Sequence, residues 1–346
     1  MRQDLRPVIF GISGYQLSDA EKKFLADARP LGVILFKRNV ESLDQLRALT
    51  TALRDVCQNP DLMIAIDQEG GRVARIQPPL WPAYPPMRPY GDQYNTDPDA
   101  ALDAVYDHYF KIGTGLLDLG ITMNCAPVLD VPISGSHDVI GDRAFSQNAN
   151  VVAQLGMRAC CGLIDAGVYP VIKHIPGHGR AMVDSHLDLP RVDTPLADME
   201  KTDFPPFAFM PDMPFAMTAH VVYTAIDAQK PATLSPSVIE KIIRKKLGFM
   251  GLLMTDDLGM KALQGTFAEL TRESLRAGCE IVLHCSGKLD EMQQIVPELP
   301  TQLSDGFMAK MAEAMALTQH AITDLARRRE ALKLAESQTP IARQQA

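Results

Sequence analysis

No stretch of this chain approaches the roughly 18 consecutive apolar residues that a membrane-spanning helix needs. Its first residues, Met1 to Ser13 (MRQDLRPVIFGIS), carry Asp4 and Arg6 and only a few apolar side chains before Gly11, so the apolar core of a secretory signal is missing. Basic residues are in deficit: 34 Lys and Arg stand against 42 Asp and Glu, a net charge of -8. Nucleic acid and anionic membranes require clustered basic surface, so neither is expected as a partner. Six cysteines, Cys57, Cys125, Cys160, Cys161, Cys279 and Cys285, occur with no CxxC spacing and read as reduced core thiols of a cytoplasmic protein. A small ligand, uncharged or locally recognised, is the partner these absences leave, and no obligate protein partner is inferred.

With 346 residues, 46% of them apolar, the chain can bury a large core as one barrel or as two ordinary domains. Short apolar runs alternate with longer amphipathic stretches. The runs Val8 to Ile12, Gly32 to Phe36, Met63 to Ile66, Thr122 to Ala126, Val168 to Ile172, Phe215 to Thr218, Leu252 to Thr255 and Glu280 to Leu283 predict strands. Helices are predicted over Ser18 to Ala28, Ser42 to Cys57, Pro98 to Leu119 behind an Asp97 cap, Val151 to Ala166, Ser235 to Lys246 and Phe267 to Ala277. Gly120, Gly167, Gly248 and Gly278 follow such segments, as a left-handed helix terminus requires. Eight strand–helix alternations without a composition break predict an α/β fold, a single (β/α)8 TIM-type barrel over 1–346, with a doubly wound sheet as the alternative. Gln77 to Gly91, rich in proline and aromatics and holding the single Trp, Trp81, reads as an ordered surface loop. A helical C-terminal extension is expected from Lys288, with Met308, Met311, Ala312, Met315 and Ile322 on one apolar face packed on the barrel and a frayed end from about residue 337.

Reactive residues collect where these strands end. The run Val168 to Ile172 closes on Lys173-His174, passes through a Pro/Gly loop that cannot be helical (KHIPGHGRAM, Lys173 to Met182), and reaches Asp184-Ser185-His186. In a barrel the carboxyl ends of the strands form one rim, where residues far apart in sequence meet. Other ends carry Asp67, Glu69 and Arg72 (IAIDQEGGR), Asp130 (CAPVLD), His220 (MTAH), Asp256 and Asp257 (LMTDD) and His284 (VLHC). Singly, each also fits a cap or a hydrogen-bonded buried polar group; together they predict an enzyme.

Four motifs carry a family resemblance: DQEGGRVARI (Asp67 to Ile76), IGDRAF (Ile140 to Phe145), KHIPGHG (Lys173 to Gly179) with DSH (Asp184 to His186), and TDDLGM (Thr255 to Met260). In this order, and over most of the chain, they resemble the family 3 glycoside hydrolases, and within that family the bacterial β-N-acetylglucosaminidases of cell-wall recycling. The resemblance implies a cytoplasmic, retaining exo-β-N-acetylglucosaminidase that needs no cofactor and no metal. Its implied substrate is an amino sugar, the terminal N-acetylglucosamine of an anhydro-N-acetylmuramic acid peptide. It also implies that Asp256 is the nucleophile. Asp257 is the rival, but strand side chains alternate, so one of the two faces the rim, and the family pattern selects the first. The implied proton donor is His186, oriented by Asp184, in place of a second carboxylic acid. An imidazole titrates near pH 6.5, so it can give and take a proton at neutral pH while a carboxylate fixes its tautomer. Asp67 resembles the acceptor of ring hydroxyls, and Arg75, Arg143, Lys173 and His174 the donors around the hydroxyls and the 2-acetamido group. Each hydrogen bond to a charged group contributes about 1.5 to 3 kcal/mol. The alternative for Arg143 is a surface pair with Asp142 or Asp130.

The chain departs from the family at Ile175, where Phe is usual, and at Thr255 and Gly259, where serines are common; these changes bear on pocket shape more than on chemistry. A metal hydrolase built on His174, His178, His186, His220 and His284 is a weaker reading, because Pro176 and Gly177 break the helix that a His-x3-His pair needs and no HxH strand end occurs. A Schiff-base lyase would use Lys173 as amine and Ser286-Gly287-Lys288 as a phosphate site, but that loop lacks a Gly-rich cradle. A non-catalytic sugar-binding barrel would not need Asp184, His186 and Asp256 together.

Overall fold

The computed structural model describes residues 2–135, 138–182, 185, 188–319 and 323. At its centre eight parallel strands close into a barrel: β1 (Arg6–Gly11), β2 (Pro30–Leu35), β3 (Met63–Ile66), β4 (Met123–Asn124), β5 (Tyr169–Ile175), β6 (Phe215–Thr218), β7 (Leu252–Asp257) and β8 (Ile281–His284). Their spatial order is β1-β8-β7-β6-β5-β4-β3-β2. Pairing of β1 with both β2 and β8 closes the ring and removes the doubly wound alternative. β4 is shorter than its apolar run. Pro127 has no amide to donate, and beyond Asn124 the pairing with β5 is irregular: the Val171 and Lys173 amides donate to the Ala126 and Pro127 carbonyls at 3.0 and 3.2 Å, and Val128 bridges Lys173.

The helices Asp19–Ala28, Leu43–Val56, Pro98–Asp118, Ala149–Asp165 and Phe267–Ala277 follow the amphipathic segments. Their starts are chemically specified. The Glu21 amide donates to Ser18 Oγ at 3.2 Å while the Ser18 amide donates to the Glu21 carboxylate at 2.9 Å, and Asp97 accepts from the Ala100 amide at 3.1 Å. A cap of this kind stabilises by about 1 kcal/mol. Gly120, Gly167, Gly248 and Gly278 all take positive φ, between 71° and 114°. The segment expected as an α-helix from Ser235 is instead a π-helix over Val238–Lys246, ending with the Leu247 amide on the Ile242 carbonyl at 2.8 Å.

The Gln77 to Gly91 segment is ordered as expected but is a loop only as far as Met87; its last four residues begin a short helix, Arg88–Tyr94. It is anchored by buried Trp81, whose ring packs so closely on Gly115 that a Cβ there would lie 2.4 Å from it. A helix over 305–319 closes the amino-terminal end of the barrel, packing Phe307, Met311 and Ala314 on the inward residues of the strands, with Met308 and Met315 beside them. Ala312, expected on this face, is exposed; the 3.6-residue turn puts Ala314 there instead. Ile322 lies outside the described residues. No helix among the described residues is long and apolar enough to cross a membrane.

Candidate active site

Side-chain alternation decides which residues meet at the open end. On β3, Met63 and Ala65 face the barrel axis and Ile64 and Ile66 the helices, so the next inward position is Asp67. The same count runs from Val171 to Lys173 on β5, from Met254 to Asp256 on β7 and from Leu283 to Cys285 on β8. These inward residues line a cleft of about 310 Å³ at the carboxyl ends of the strands, where Ile34, Met217 and Leu283 supply apolar surface and Phe36, Val139, Ile140 and Met260 join them. Two strands break step. The register of β5 shifts between Lys173 and Ile175, and His174 lines the cleft beside Lys173. On β7 it shifts between Met254 and Asp257, and Asp257 lines the cleft beside Asp256. The expectation that only one of the two aspartates faces the rim fails for that reason, since an irregular strand re-aims its side chains.

One wall is a buried network of charges. Asp67 accepts from Lys173 Nζ at 2.9 Å on Oδ1 and from Arg75 Nη2 at 2.8 Å on Oδ2. Lys173 Nζ also lies 2.6 Å from Glu69 Oε1. Arg143 grips Glu69 with Nε on Oε2 and Nη2 on Oε1, both at 2.9 Å. Burial alone would raise the Glu69 carboxyl, but Arg143 and Lys173 outweigh it and hold it at about 2. Asp67 is likewise kept well below the usual carboxylate range against its burial, by Lys173 and Arg75. Desolvation would lower Lys173, yet its two carboxylate partners raise it. All five groups are therefore ionised at neutral pH. The surface pairing considered for Arg143 is corrected: its carboxylate is Glu69, while Asp142 lies 3.4 Å from Arg72. Burial of both partners favours the bidentate pair, whose two parallel bonds offset desolvation.

Asp130, fully buried, organises the next wall. Its Oδ2 is 2.7 Å from His174 Nδ1, and its Oδ1 accepts the amides of His174 at 3.2 Å and His178 at 2.6 Å. Burial opposes ionisation, but His174 and the His178 amide contribute to holding Asp130 at about 2. A carboxylate on Nδ1 leaves the His174 Nε2 for the cleft. His178 is pushed down to about 4 by burial and by His174, so its ring is neutral; its Nε2 lies 3.1 Å from Ser185 Oγ.

Asp256 and Asp257 differ in what they are bonded to. Among the described residues Asp256 accepts one hydrogen bond, from the Asp257 amide to Oδ1 at 2.8 Å. Asp257 Oδ1 accepts the amides of Gly259 at 2.9 Å and Cys285 at 3.0 Å. Burial would raise the Asp256 carboxyl, but the His220 and His174 imidazoles, the Asp257 amide and Lys173 hold it below its ordinary value. It is an ionised carboxylate whose Oδ2 accepts no hydrogen bond among the described residues, as a nucleophile requires.

Of the predicted site residues, Asp67, Arg75, Arg143, Lys173, His174 and Asp256 all line this cleft. Asp184 and His186 lie outside the described residues; Ser185 between them is buried and lines the cleft. His220 and His284 do not line it. His220 is bonded to Thr233 Oγ1 and the Asp257 carbonyl, and His284 to Ser286 and Glu291. Among the described residues no group of three or more His, Cys, Asp or Glu side chains is placed to hold a metal. Two functional partnerships were not legible in sequence. Glu69 sits inside the DQEGGR motif, but nothing there points to Arg143, and no spacing connects Asp130 with His174.

Known proteins share both the sequence and the fold. Residues 4–323 match the glycosyl hydrolase family 3 N terminal domain. The beta-hexosaminidase of Alkalilimnicola ehrlichii is 40% identical over 286 residues, covering 82% of this chain and 81% of that protein. That of Thiobacillus denitrificans is 36% identical over 337 residues, covering 95% and 92%. The crystal structure of NagZ from Neisseria gonorrhoeae in complex with N-trifluoroacetyl-D-glucosamine matches with a TM-score of 0.83 at 33% identity, over 92% of this chain and 94% of that one.

Proposed function

The chain belongs to the family 3 glycosyl hydrolases, as an enzyme of the beta-hexosaminidase type, and on that premise we propose that it is a cytoplasmic retaining exo-β-N-acetylglucosaminidase acting without a cofactor. The observation that carries this reading lies at the end of β7: a half-buried, ionised Asp256, whose Oδ2 accepts no hydrogen bond among the described residues, faces the same cleft as the Asp67, Arg75, Arg143, Lys173 and His174 polar wall. In this reading Asp256 attacks the anomeric carbon as His186, oriented by Asp184, gives a proton to the departing oxygen. A glycosyl ester on Asp256 results. His186 then takes a proton from water as that water attacks the same carbon, and two inversions give net retention.

The dense set of charged donors suits a polyol, and the amino-sugar analogue held by the gonococcal relative supports a 2-acetamido sugar. The resemblance to wall-recycling enzymes extends the substrate to N-acetylglucosamine joined to anhydro-N-acetylmuramic acid peptides. Purified protein assayed on a chromogenic β-N-acetylglucosaminide and on the matching β-glucoside tests the reading. Turnover of the first and not the second is expected; turnover of neither overturns it.

A further inference from the structure

Asp257 stands in the cleft next to the proposed nucleophile, yet its amide, its carbonyl and one carboxylate oxygen are bound to the protein. Its amide donates to Asp256 Oδ1 at 2.8 Å, and its carbonyl accepts from His220 Nε2 at 3.0 Å and from the Met260 amide at 3.1 Å. Its Oδ1 accepts from the Gly259 amide at 2.9 Å and the Cys285 amide at 3.0 Å. The residue is thereby fixed from three directions: by the segment after β6 through His220, by the residue after β8 through Cys285, and by its own loop through Gly259. His220 is itself buried and fixed by Thr233 Oγ1 at 2.7 Å.

We infer that Asp257 is a positioning residue for Asp256: its Oδ1 pins the loop after β7 so that its own amide is presented to Asp256 Oδ1, which sets the Asp256 rotamer and leaves Oδ2 for the sugar. This rests on Asp256 being the nucleophile. A carboxylate that must approach a carbon in line gains from being held before the substrate arrives, and a displacement of about 1 Å costs about a hundredfold in rate. The amide also favours the ionised form of Asp256, together with His220, His174 and Lys173, the other groups that face it. Asp257 is faced by His284, whose Nδ1 is 3.8 Å from Oδ1, and by Cys285 and Arg38. Both loop amides converge on one oxygen, so the clamp needs an acceptor at that place and not a negative charge.

That requirement separates positioning from catalysis by substitution. Asp257→Asn keeps the acceptor and Asp257→Ala removes it. With folding checked by thermal melting, Asp257→Asn is expected to retain kcat/KM to within about tenfold. Asp257→Ala should lose about a hundredfold, mostly in kcat, and the acid limb of its pH profile should move upward as the unpinned backbone amide of residue 257 is no longer held on Asp256. A folded Asp257→Asn variant as inactive as Asp257→Ala would overturn the inference, as would wild-type turnover and an unmoved acid limb in Asp257→Ala. Should Asp257→Ala fail to fold, the Asn variant alone decides. Asp256→Asn in the same panel isolates the premise: activity kept there and lost in Asp257→Asn would mean that the nucleophile itself had been misassigned.

Discussion

Arg143 and Glu69, 74 positions apart, meet through two parallel hydrogen bonds of 2.9 Å in the wall of the cleft. Lys173 adds a third contact to the same carboxylate at 2.6 Å. Glu69 is thus the anchor of two proposed sugar-binding cations, and its low pKa removes it from consideration as a proton donor at neutral pH.

Glu69→Gln keeps the shape but leaves Arg143 and Lys173 without their shared charge. Removing one partner of a buried ion pair costs about 3 to 5 kcal/mol. The variant is expected to melt at lower temperature and to show a KM raised at least tenfold. Melting and KM both unchanged would mean that Glu69 does not organise the site.

The wall of donors also predicts discrimination. A site whose buried donors are placed for a 2-acetamido group leaves them unpaired with a sugar that lacks it. The β-glucoside is expected to react with kcat/KM at least about a hundredfold below that of the β-N-acetylglucosaminide. Comparable values would place the enzyme elsewhere within its family.

Proton donation by His186 predicts a dependence on the leaving group. His186→Ala should lose several orders of magnitude on a sugar leaving group and far less on dinitrophenol, which departs without protonation. Asp184→Asn should show a milder form of the same contrast, because it disturbs only tautomer and orientation. Equal losses for both leaving groups would assign His186 to binding and move the search for the acid to the other groups of the cleft.

Acid should destabilise the fold in two steps. The imidazole of His178 is held neutral down to about pH 4, whereas in the unfolded chain it protonates near 6.5. The unfolded state binds the extra proton between these values, so stability is full above the upper one and falls as pH drops toward the lower, by on the order of 3 kcal/mol. Glu69 and Asp130, held at about 2, lose their ionised partnerships as pH falls further from near 4. Melting temperature measured from pH 8 to 3 should therefore decline, and His178→Gln should flatten the upper step. A pH profile identical to that of the unsubstituted protein would contradict the buried neutral imidazole.

The barrel was legible because each strand is an apolar run bounded by helix caps and glycines whose conformations the structure confirms, from Ser18 to Gly278. Asp67, Lys173 and Asp256 were legible as strand-end residues for the same reason: two-residue alternation carries a buried strand directly to the rim. Interactions across the mouth were not. Asp130 with His174 and Arg143 with Glu69 each join a residue beyond the end of a strand to one on a segment 44 or 74 positions away, and no local spacing encodes that. The π-turns of Val238–Lys246 and the register shift that turns both Asp256 and Asp257 into the cleft are likewise products of packing, which overrides ideal periodicity.

The central claim is that Asp256 becomes covalently bound to the sugar. A fluorinated N-acetylglucosamine donor that forms the glycosyl ester quickly and hydrolyses slowly should accumulate that ester, and peptide mass spectrometry should place it on Asp256. Asp256→Ala should fold, bind the sugar and take up no label. Label on Asp257 or Glu69, or an anomeric product of inverted configuration by proton NMR, would contradict the account.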